Sequence, residues 1–195
     1  MTSPFMNAFS ELMAERGVAV ARFEFNYMAA RRADGKRRPP PRAELLVPEY
    51  VRALEAARQH LGPAQRLFIG GKSMGGRVAS LAAQDLHRAG RIDGVVCLGY
   101  PFHPPGKPAQ LRTAHLADMT VPVLIVQGER DPFGSRSEVE ALELPRSIAL
   151  HWASDGDHDL GPRGASGYTR KGNLKAAADA VATFVLGEKA GGPGR

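Results

Sequence analysis

The chain has 195 residues, of which 43% are hydrophobic and 24% are charged, and its formal net charge is +6. This composition is typical of one soluble globular domain with a substantial core. It contains no apolar run near the roughly 18 residues of a transmembrane helix and no visible secretory signal. We therefore expect a cytoplasmic protein that does not bind membranes.

Predicted helices and strands alternate along the chain. Ser3 and Pro4 are typical of a helix start, and Gly17 is typical of a helix end. The predicted helices cover 5–16, 44–61 with an early break at Pro48, 74–88, 111–116, 137–142 and 174–186, and the predicted strands cover 18–27, 67–70, 95–100, 123–126 and 147–152. Continuous apolar strands separated by helices predict an α/β fold with a mostly parallel sheet and helices on both faces.

We expect a single domain over residues 1–187 and a flexible, Gly- and Pro-rich tail over residues 188–195. A basic, proline-rich loop at 31–42 carries much of the positive charge. Such a loop binds an anion or a nucleic acid, or is simply solvated. Since it lacks interleaved aromatic residues, we expect no specific nucleic-acid partner.

Cysteine and histidine usage gives no sign of a metal site. Cys97 is the single cysteine, it lies in an apolar strand, and we expect it to be a small buried hydrophobe. It cannot form an intrachain disulfide, which fits a reducing compartment. The histidines are scattered and show no metal-ligand spacing, so we expect no metal and no organic cofactor.

The most informative motif is Gly71-Lys72-Ser73-Met74-Gly75, which follows a short apolar strand and opens a helix. This pattern in strand–turn–helix context is typical of a nucleophile elbow. We expect the Ser73 hydroxyl to stand above the sheet edge, with the Met74 N–H as an oxyanion-hole donor beside it. Gly71 and Gly75 are expected to let strand and helix approach closely. The alternative is a glycine-rich turn that binds an anion or only packs.

A serine nucleophile needs a base, and the base needs an orienting carboxylate. Asp131 follows the strand at 123–126, and His158 lies in a loop beyond the last strand, which is the expected chain order of Ser, acid and His. Glu129 is the second candidate acid, and the aspartates around His158 compete more weakly. Asp131 could also be an Asx-turn residue before proline, and His158 an exposed bystander.

Three further residues at strand ends are candidate substrate contacts, namely Lys72, Tyr100 and His103. Lys72 and Arg77 flank the elbow, where Lys72 could lower the cost of negative charge near Ser73 or pair with a carboxylate. His103 could line the pocket or only belong to a proline-rich loop. The basic loop at 31–42 also leaves a predicted strand end and could favour anionic substrates.

Four motifs resemble the bacterial α/β-hydrolases related to dienelactone hydrolases, whose animal relatives include a testis-expressed protein and a subunit of a chromatin acetyltransferase complex. The resemblance runs from Ser3 to Leu186 and implies that Ser73 is the nucleophile, Asp131 the acid and His158 the base. It also implies a hydrolase fold without a cap domain, and hence a shallow, open pocket. The motifs are Gly71-Lys-Ser-Met-Gly-Gly-Arg77, Gly99-Tyr-Pro-Phe-His-Pro-Pro-Gly106, Val126-Gln-Gly-Glu-Arg-Asp-Pro-Phe-Gly134 and Gly156-Asp-His-Asp159.

The chain departs from that family at its start. It begins at the helix that normally follows a central strand and an oxyanion-hole loop. We therefore expect an N-terminally shortened fold in which the strands around Phe23 and Phe68 pair directly, leave a gap or borrow a strand. The oxyanion hole would then hold Met74 and whatever Thr2 or Ser3 can offer.

Two functions from different classes follow. The first is a serine hydrolase acting on a small ester, thioester or lactone, with a small-molecule acyl substrate as its partner. The second is a catalytically weak or inactive binding or scaffold protein on the same fold. A homodimer that completes the site is a further alternative.

Overall fold

The computed structural model describes residues 3–35, 40–62 and 65–187, apart from the side chains of 32–34. Its elements are the helices α1 (Pro4–Ala14), α2 (Asn26–Asp34), α3 (Ala43–Arg58), α4 (Met74–Arg88), α5 (Arg136–Glu140) and α6 (Arg170–Leu186), and the strands β1 (Phe68–Lys72), β2 (Gly94–Leu98), β3 (Val123–Gly128) and β4 (Ile148–Ala153). The predicted tail at 188–195 lies outside the described residues.

The four strands form one parallel sheet in the order β1-β2-β3-β4, as the apolar strand patterns predict. Helices α3 and α4 pack on one face around Val78, Val95 and Ile125. Helices α1 and α6 pack on the other face around Phe5 and Val181. Because all four strands run in the same direction, the segments that follow them meet at one edge of the sheet, where ligand sites of such folds lie.

The turn from β1 into α4 is tightly packed. A Cβ on Gly71 would lie 2.8 Å from the carbonyl carbon of Gly75, and a Cβ on Gly76 would lie 2.7 Å from the carbonyl oxygen of Gly71. Gly75 itself has open space around its Cβ position. The close approach of strand and helix therefore requires Gly71, as predicted, and Gly76 rather than Gly75.

The predicted strand at 18–27 is wrong. The chain from Val18 to Phe25 has no assigned secondary structure, and α2 begins at Asn26, within what was expected to be strand and basic loop. The apolar alternation of 18–25 is explained by aromatic packing, because Phe23 and Phe25 contact the ring of Tyr50 at centroid distances of 5.2 and 6.3 Å. In the described residues the segment around Phe23 does not pair directly with β1, and a gap lies beside that strand.

Tyr50 occupies that gap. Its hydroxyl donates to the Gly70 carbonyl at 2.7 Å and accepts from the Gly70 N–H at 2.8 Å. Gly70 lies on β1, which is an edge strand within the described sheet. One side-chain group therefore satisfies both main-chain groups that a neighbouring strand would otherwise bind.

Five predicted helices differ in their bounds, among them the helix predicted at 5–16, which is Pro4–Ala14, and the one predicted at 137–142, which is Arg136–Glu140. Helix α3, Ala43–Arg58, ends three residues earlier than predicted and runs through Pro48 without a break. The short helix expected at 111–116 is a 3₁₀ turn, Ala114–Leu116, and α6 begins four residues early behind the Thr169 cap. Among the described residues, no helix is long and apolar enough to cross a membrane.

The loop after β4 is anchored by a buried carboxylate. Asp155 accepts from the Arg163 N–H at 2.7 Å and from its guanidinium at 2.6 Å, and Arg130 contacts it at 2.9 Å. These bonds from Arg163 lower the pKa of Asp155 to about 2. The Asp155 N–H donates to Glu129 at 2.8 Å, which ties this loop to the one after β3.

The Tyr50 contact predicts a stability change without a change in fold. Tyr50→Phe removes the hydroxyl and leaves the N–H and C=O of Gly70 unpartnered, which costs about 1–3 kcal/mol of the free energy of unfolding. Urea unfolding measures this loss. Tyr168→Phe is the control, because Tyr168 is 54% exposed. Equal stability of the two variants would contradict the bridging role.

Asp155 predicts a pH-dependent difference in stability. Its folded-state pKa lies below the ordinary value, so its contribution is present near neutral pH and is lost as the pH falls toward about 2. Asp155→Asn, which tolerates the same positive φ, should lower the Tm at neutral pH, and the Tm gap should close on acidification. Asp118→Asn, on an exposed residue, is the control. A gap that stays constant with pH would contradict this account.

Candidate functional site

Ser73 sits at the tip of the turn between β1 and α4 in strained backbone. Its φ of 52° and ψ of −116° are rare for a residue with a side chain. The turn is held by the Ser73 N–H, which donates to Leu98 at 2.9 Å, and by the Arg77 N–H, which donates to the Ser73 carbonyl at 3.1 Å. Met74 begins α4, so its N–H is among the first-turn donors that a helix leaves unpaired. Ser73 is partly exposed, and its hydroxyl and the first-turn N–H of Met74 belong to adjacent residues at the tip of this turn.

His158 and Asp131 are in direct contact. The His158 Nδ1 lies 2.8 Å from the Asp131 Oδ2. Asp131 is fully buried, and its second oxygen accepts from the Phe133 N–H at 2.9 Å. The Phe133 ring lies 4.5 Å from the imidazole and covers it. A buried carboxylate at this distance fixes the proton on Nδ1, which leaves Nε2 free to accept a proton.

Two contacts bring His158 next to Ser73. The Leu98 carbonyl accepts from the Ser73 N–H, and the next residue is Gly99. A Cβ on Gly99 would lie 3.3 Å from the His158 Nδ1. The residue before Ser73 is Lys72, whose Nζ donates to the His158 carbonyl at 3.2 Å. Gly99 has a φ of +62°, so both its conformation and its position require glycine. His158 thus packs against the residue before Ser73 and against the end of the strand that accepts the Ser73 N–H.

Gln127 is a site residue that the sequence reasoning missed. It is fully buried on β3, and its Nε2 donates to Asp131 at 3.0 Å and to the carbonyls of Tyr100 and Gly134 at 3.2 and 3.1 Å. It therefore orients the carboxylate and joins the loops after β2 and β3. The signal was present in the sequence, because Gln127 is the one polar side chain within the apolar run of β3.

The competing acids have other partners. Glu129 accepts from the Asp155 N–H and from Arg136 at 2.9 Å. Asp157 accepts from the N–H groups of Asp159 and Gly161, each at 2.8 Å, and so shapes the loop. Within the described residues, Asp131 is the one candidate acid whose carboxylate contacts a ring nitrogen of His158.

The Lys72 ammonium, a candidate substrate contact, is engaged by the protein. Besides the His158 carbonyl, it contacts Asp159 at 2.7 Å, and only 18% of its side chain is exposed. The other sequence candidate near the elbow, Arg77, contacts Glu44 at 3.1 Å. The basic loop at 31–42 lies partly outside the described residues.

Tyr100 and His103 have different surroundings. Tyr100 is fully buried and its hydroxyl donates to the Arg112 carbonyl at 3.0 Å, so its ring belongs to the core and offers no surface to a substrate. His103 is 3% exposed and its Nδ1 donates to Pro104 at 2.9 Å. Among the described residues its Nε2 has no hydrogen-bond partner, although Glu138 lies 3.4 Å away. His103 and Glu138 line a cavity of about 190 Å³ together with Phe102, Pro108, Leu111, Val139 and Leu142.

A second serine–histidine contact exists away from the elbow. The Nε2 of His115 lies 2.8 Å from the Ser80 hydroxyl. Ser80 donates its proton to the Arg77 carbonyl at 2.8 Å, so His115 must be the donor to Ser80. Burial, reinforced by the charge of Arg77, lowers the pKa of His115 to about 4. This neutral, proton-donating histidine cannot activate Ser80 as a base would.

Thr2 and Ser3 were the other candidate donors to the oxyanion hole, and the structure describes only Ser3. The Ser3 hydroxyl oxygen caps α1 by accepting from the Met6 N–H at 3.4 Å, and Thr2 lies outside the described residues. The start of α1 is close to the elbow, since the Phe5 ring lies 5.1 Å from the Lys72 Nζ. In the described part of the chain, no group of three or more potential metal ligands is present.

Solved structures share this fold. A protein of unknown function from Agrobacterium tumefaciens, proposed to be an alpha/beta hydrolase, is 16% identical with a TM-score of 0.66, and the match covers 95% of this chain and 78% of that one. An alpha-beta serine hydrolase homologue from Coxiella burnetii is 17% identical, with a TM-score of 0.63 and coverage of 91% and 74%. The esterase domain of a Rhodothermus marinus protein is 16% identical, with a TM-score of 0.60 and coverage of 92% and 79%.

A protein-family comparison covers nearly the whole chain. The model of a family described as an alpha/beta hydrolase domain matches residues 1–186. This agrees with the parallel sheet, with the elbow at Ser73 and with the likeness to the solved structures. The chain therefore belongs to the alpha/beta hydrolase family.

Proposed function

We propose that the chain is a serine hydrolase that cleaves a small ester, thioester or lactone through an acyl-enzyme. Membership of the alpha/beta hydrolase family supports a hydrolase in general. The observation that carries the finer proposal is the 2.8 Å contact between His158 and the buried Asp131, next to a strained Ser73. The likeness to the dienelactone hydrolase branch, the cytoplasmic location and a homodimer remain predictions from the sequence.

The proposed mechanism divides the reaction into two steps. The Ser73 hydroxyl attacks the acyl carbonyl while the His158 Nε2 takes its proton, and the same proton then goes to the leaving group. Asp131 keeps the imidazole in the Nδ1–H form and stabilises the imidazolium that forms. The Met74 N–H donates to the oxyanion. In the second step, a water activated by His158 releases the acid and restores Ser73.

A small substrate fits the surroundings of the site. The segment between Pro101 and Val121 contains only a 3₁₀ turn, so no cap domain covers the site from there. The cavity of about 190 Å³ lies next to the loop of the acid, because the His103 N–H donates to the Phe133 carbonyl at 3.1 Å. Its lining is mostly apolar, with His103 and Glu138 as polar residues, but it includes none of Ser73, Asp131 and His158, so its use by a short acyl or alcohol group is part of the proposal.

The first test compares the two candidate acids. Asp131→Asn should lower kcat for short p-nitrophenyl esters by about 10³–10⁴-fold, because the imidazole loses the group that fixes its proton. Glu129→Gln is the matched control and should lower the Tm while leaving kcat within roughly threefold, since Glu129 binds the loop and not the imidazole. The reverse ranking would make Glu129 the acid.

Ser73→Ala tests the nucleophile in the same assay. It should abolish turnover while leaving the folded state intact, because alanine removes only the hydroxyl. Turnover that survives in this variant would contradict the proposal. A folded wild-type protein that shows no turnover at all would instead favour the binding or scaffold alternative.

The strain at Ser73 predicts that glycine at this position gives a more stable protein than alanine. A φ of 52° is costly for serine or alanine and cheap for glycine. Ser73→Gly should therefore unfold at a higher urea concentration than Ser73→Ala, by about 1 kcal/mol in the free energy of unfolding. Equal or lower stability of the glycine variant would show that the turn is not strained.

A further inference from the structure

Lys72 joins the two halves of the proposed site. It precedes Ser73 at the end of β1, and its ammonium reaches the loop of His158, where it donates to the His158 carbonyl at 3.2 Å and pairs with Asp159 at 2.7 Å. The Phe5 ring lies 5.1 Å from the same nitrogen. The side chain is 18% exposed, so these contacts hold it away from most of the solvent.

We propose that Lys72 is a positioning residue, which ties the backbone of the general base to the strand that ends in the nucleophile. This rests on the proposed function and deepens it. The proposal assigns Lys72 an effect on the placement of the His158 imidazole. It assigns Lys72 no contact with substrate and no direct part in the proton transfer.

Other side chains hold the two ends of this loop, Asp157 shapes it from within and Asp131 holds the His158 ring, but these contacts do not reach the His158 carbonyl. Arg130 donates its N–H to Gly156 at 2.8 Å, and Arg163 holds Asp155. At the far end, Asn173 donates to the Leu160 carbonyl at 2.9 Å. Within residues 3–35, 40–62 and 65–187, Lys72 is the side chain that donates to the His158 backbone. Lys72 therefore links the His158 backbone to the end of β1, whereas Asp131 fixes the orientation of the imidazole ring.

The charge of Lys72 is balanced locally. Burial raises the pKa of Asp159, but the hydrogen bond and the charge of Lys72 outweigh it, so that pKa lies below its ordinary value. Asp159 is then ionised at neutral pH and neutralises the ammonium. An ammonium that is paired with a carboxylate stabilises a neighbouring oxyanion less than an unpaired ammonium does. This favours a geometric role over direct stabilisation of negative charge at Ser73.

The first measurement is hydrogen exchange of the loop, which does not require activity. Lys72→Met keeps the length and apolar stem of the side chain and removes the ammonium. Amides of residues 157–160 should exchange faster in this variant than in the wild type, and those of 123–126 should not change. Asp159→Asn breaks the ion pair from the loop side, leaves β1 untouched and should give a smaller increase. Unchanged exchange in both variants would overturn the tether.

The second measurement is a double-mutant cycle with p-nitrophenyl ester hydrolysis. Lys72→Met alone should lower kcat by about 10–100-fold with little change in KM, because a displaced base slows the chemical step. In a His158→Ala background, the same change should alter the residual rate by less than roughly twofold, since Lys72 acts through the imidazole. Lys72→Arg should recover part of kcat, and Lys107→Met, on an exposed residue, is the control.

The outcomes separate this proposal from the one on which it rests. If Lys72→Met lowers the residual rate equally in the His158→Ala background, Lys72 acts directly on the oxyanion and the positioning role is overturned. If kcat is unchanged while exchange is faster, the tether has no catalytic effect and the proposal fails. If the wild type has no turnover, the proposed function itself fails, and the exchange result reports on the tether alone.

Discussion

The arrangement depends on one close approach, that of the last residues of β1 to the first turn of α4. Gly71 and Gly76 have no room for a Cβ there, and Ser73 is forced to a φ of 52°. The Ser73 N–H is held by Leu98, so the turn is fixed to β2. Gly99, the first residue after that strand, packs against His158. A tight turn thus sets both the exposure of the serine hydroxyl and the position of the imidazole.

Asp131 is the second centre of the site, and its burial determines what its neighbours must do. A fully buried carboxylate needs hydrogen-bond donors, and it has three, from His158, Gln127 and the Phe133 N–H. Gln127 also holds the carbonyls of Tyr100 and Gly134, so the loops after β2 and β3 share one anchor. The desolvation cost of this carboxylate is thereby offset by the same bonds that orient the base.

The sequence predicted the sheet and the elbow better than the surroundings of the site. Four strands were recognised because each is a continuous apolar run, and Asp131 and His158 because they follow strand ends in the expected order. The strand at 18–27 failed because its alternating apolar residues pack on Tyr50 rather than in a ladder. The polar Gln127 within an apolar strand was visible in the sequence, but its contacts and the partners of Lys72 depend on segments that only the folded chain brings together.

Intact-mass analysis of the folded protein after treatment with a fluorophosphonate tests the central claim most directly, because this reagent reacts with an activated serine. The account predicts one adduct on the wild type, none on Ser73→Ala and strongly slowed labelling of His158→Ala. No adduct on the folded wild type, or the same adduct on Ser73→Ala, would contradict it.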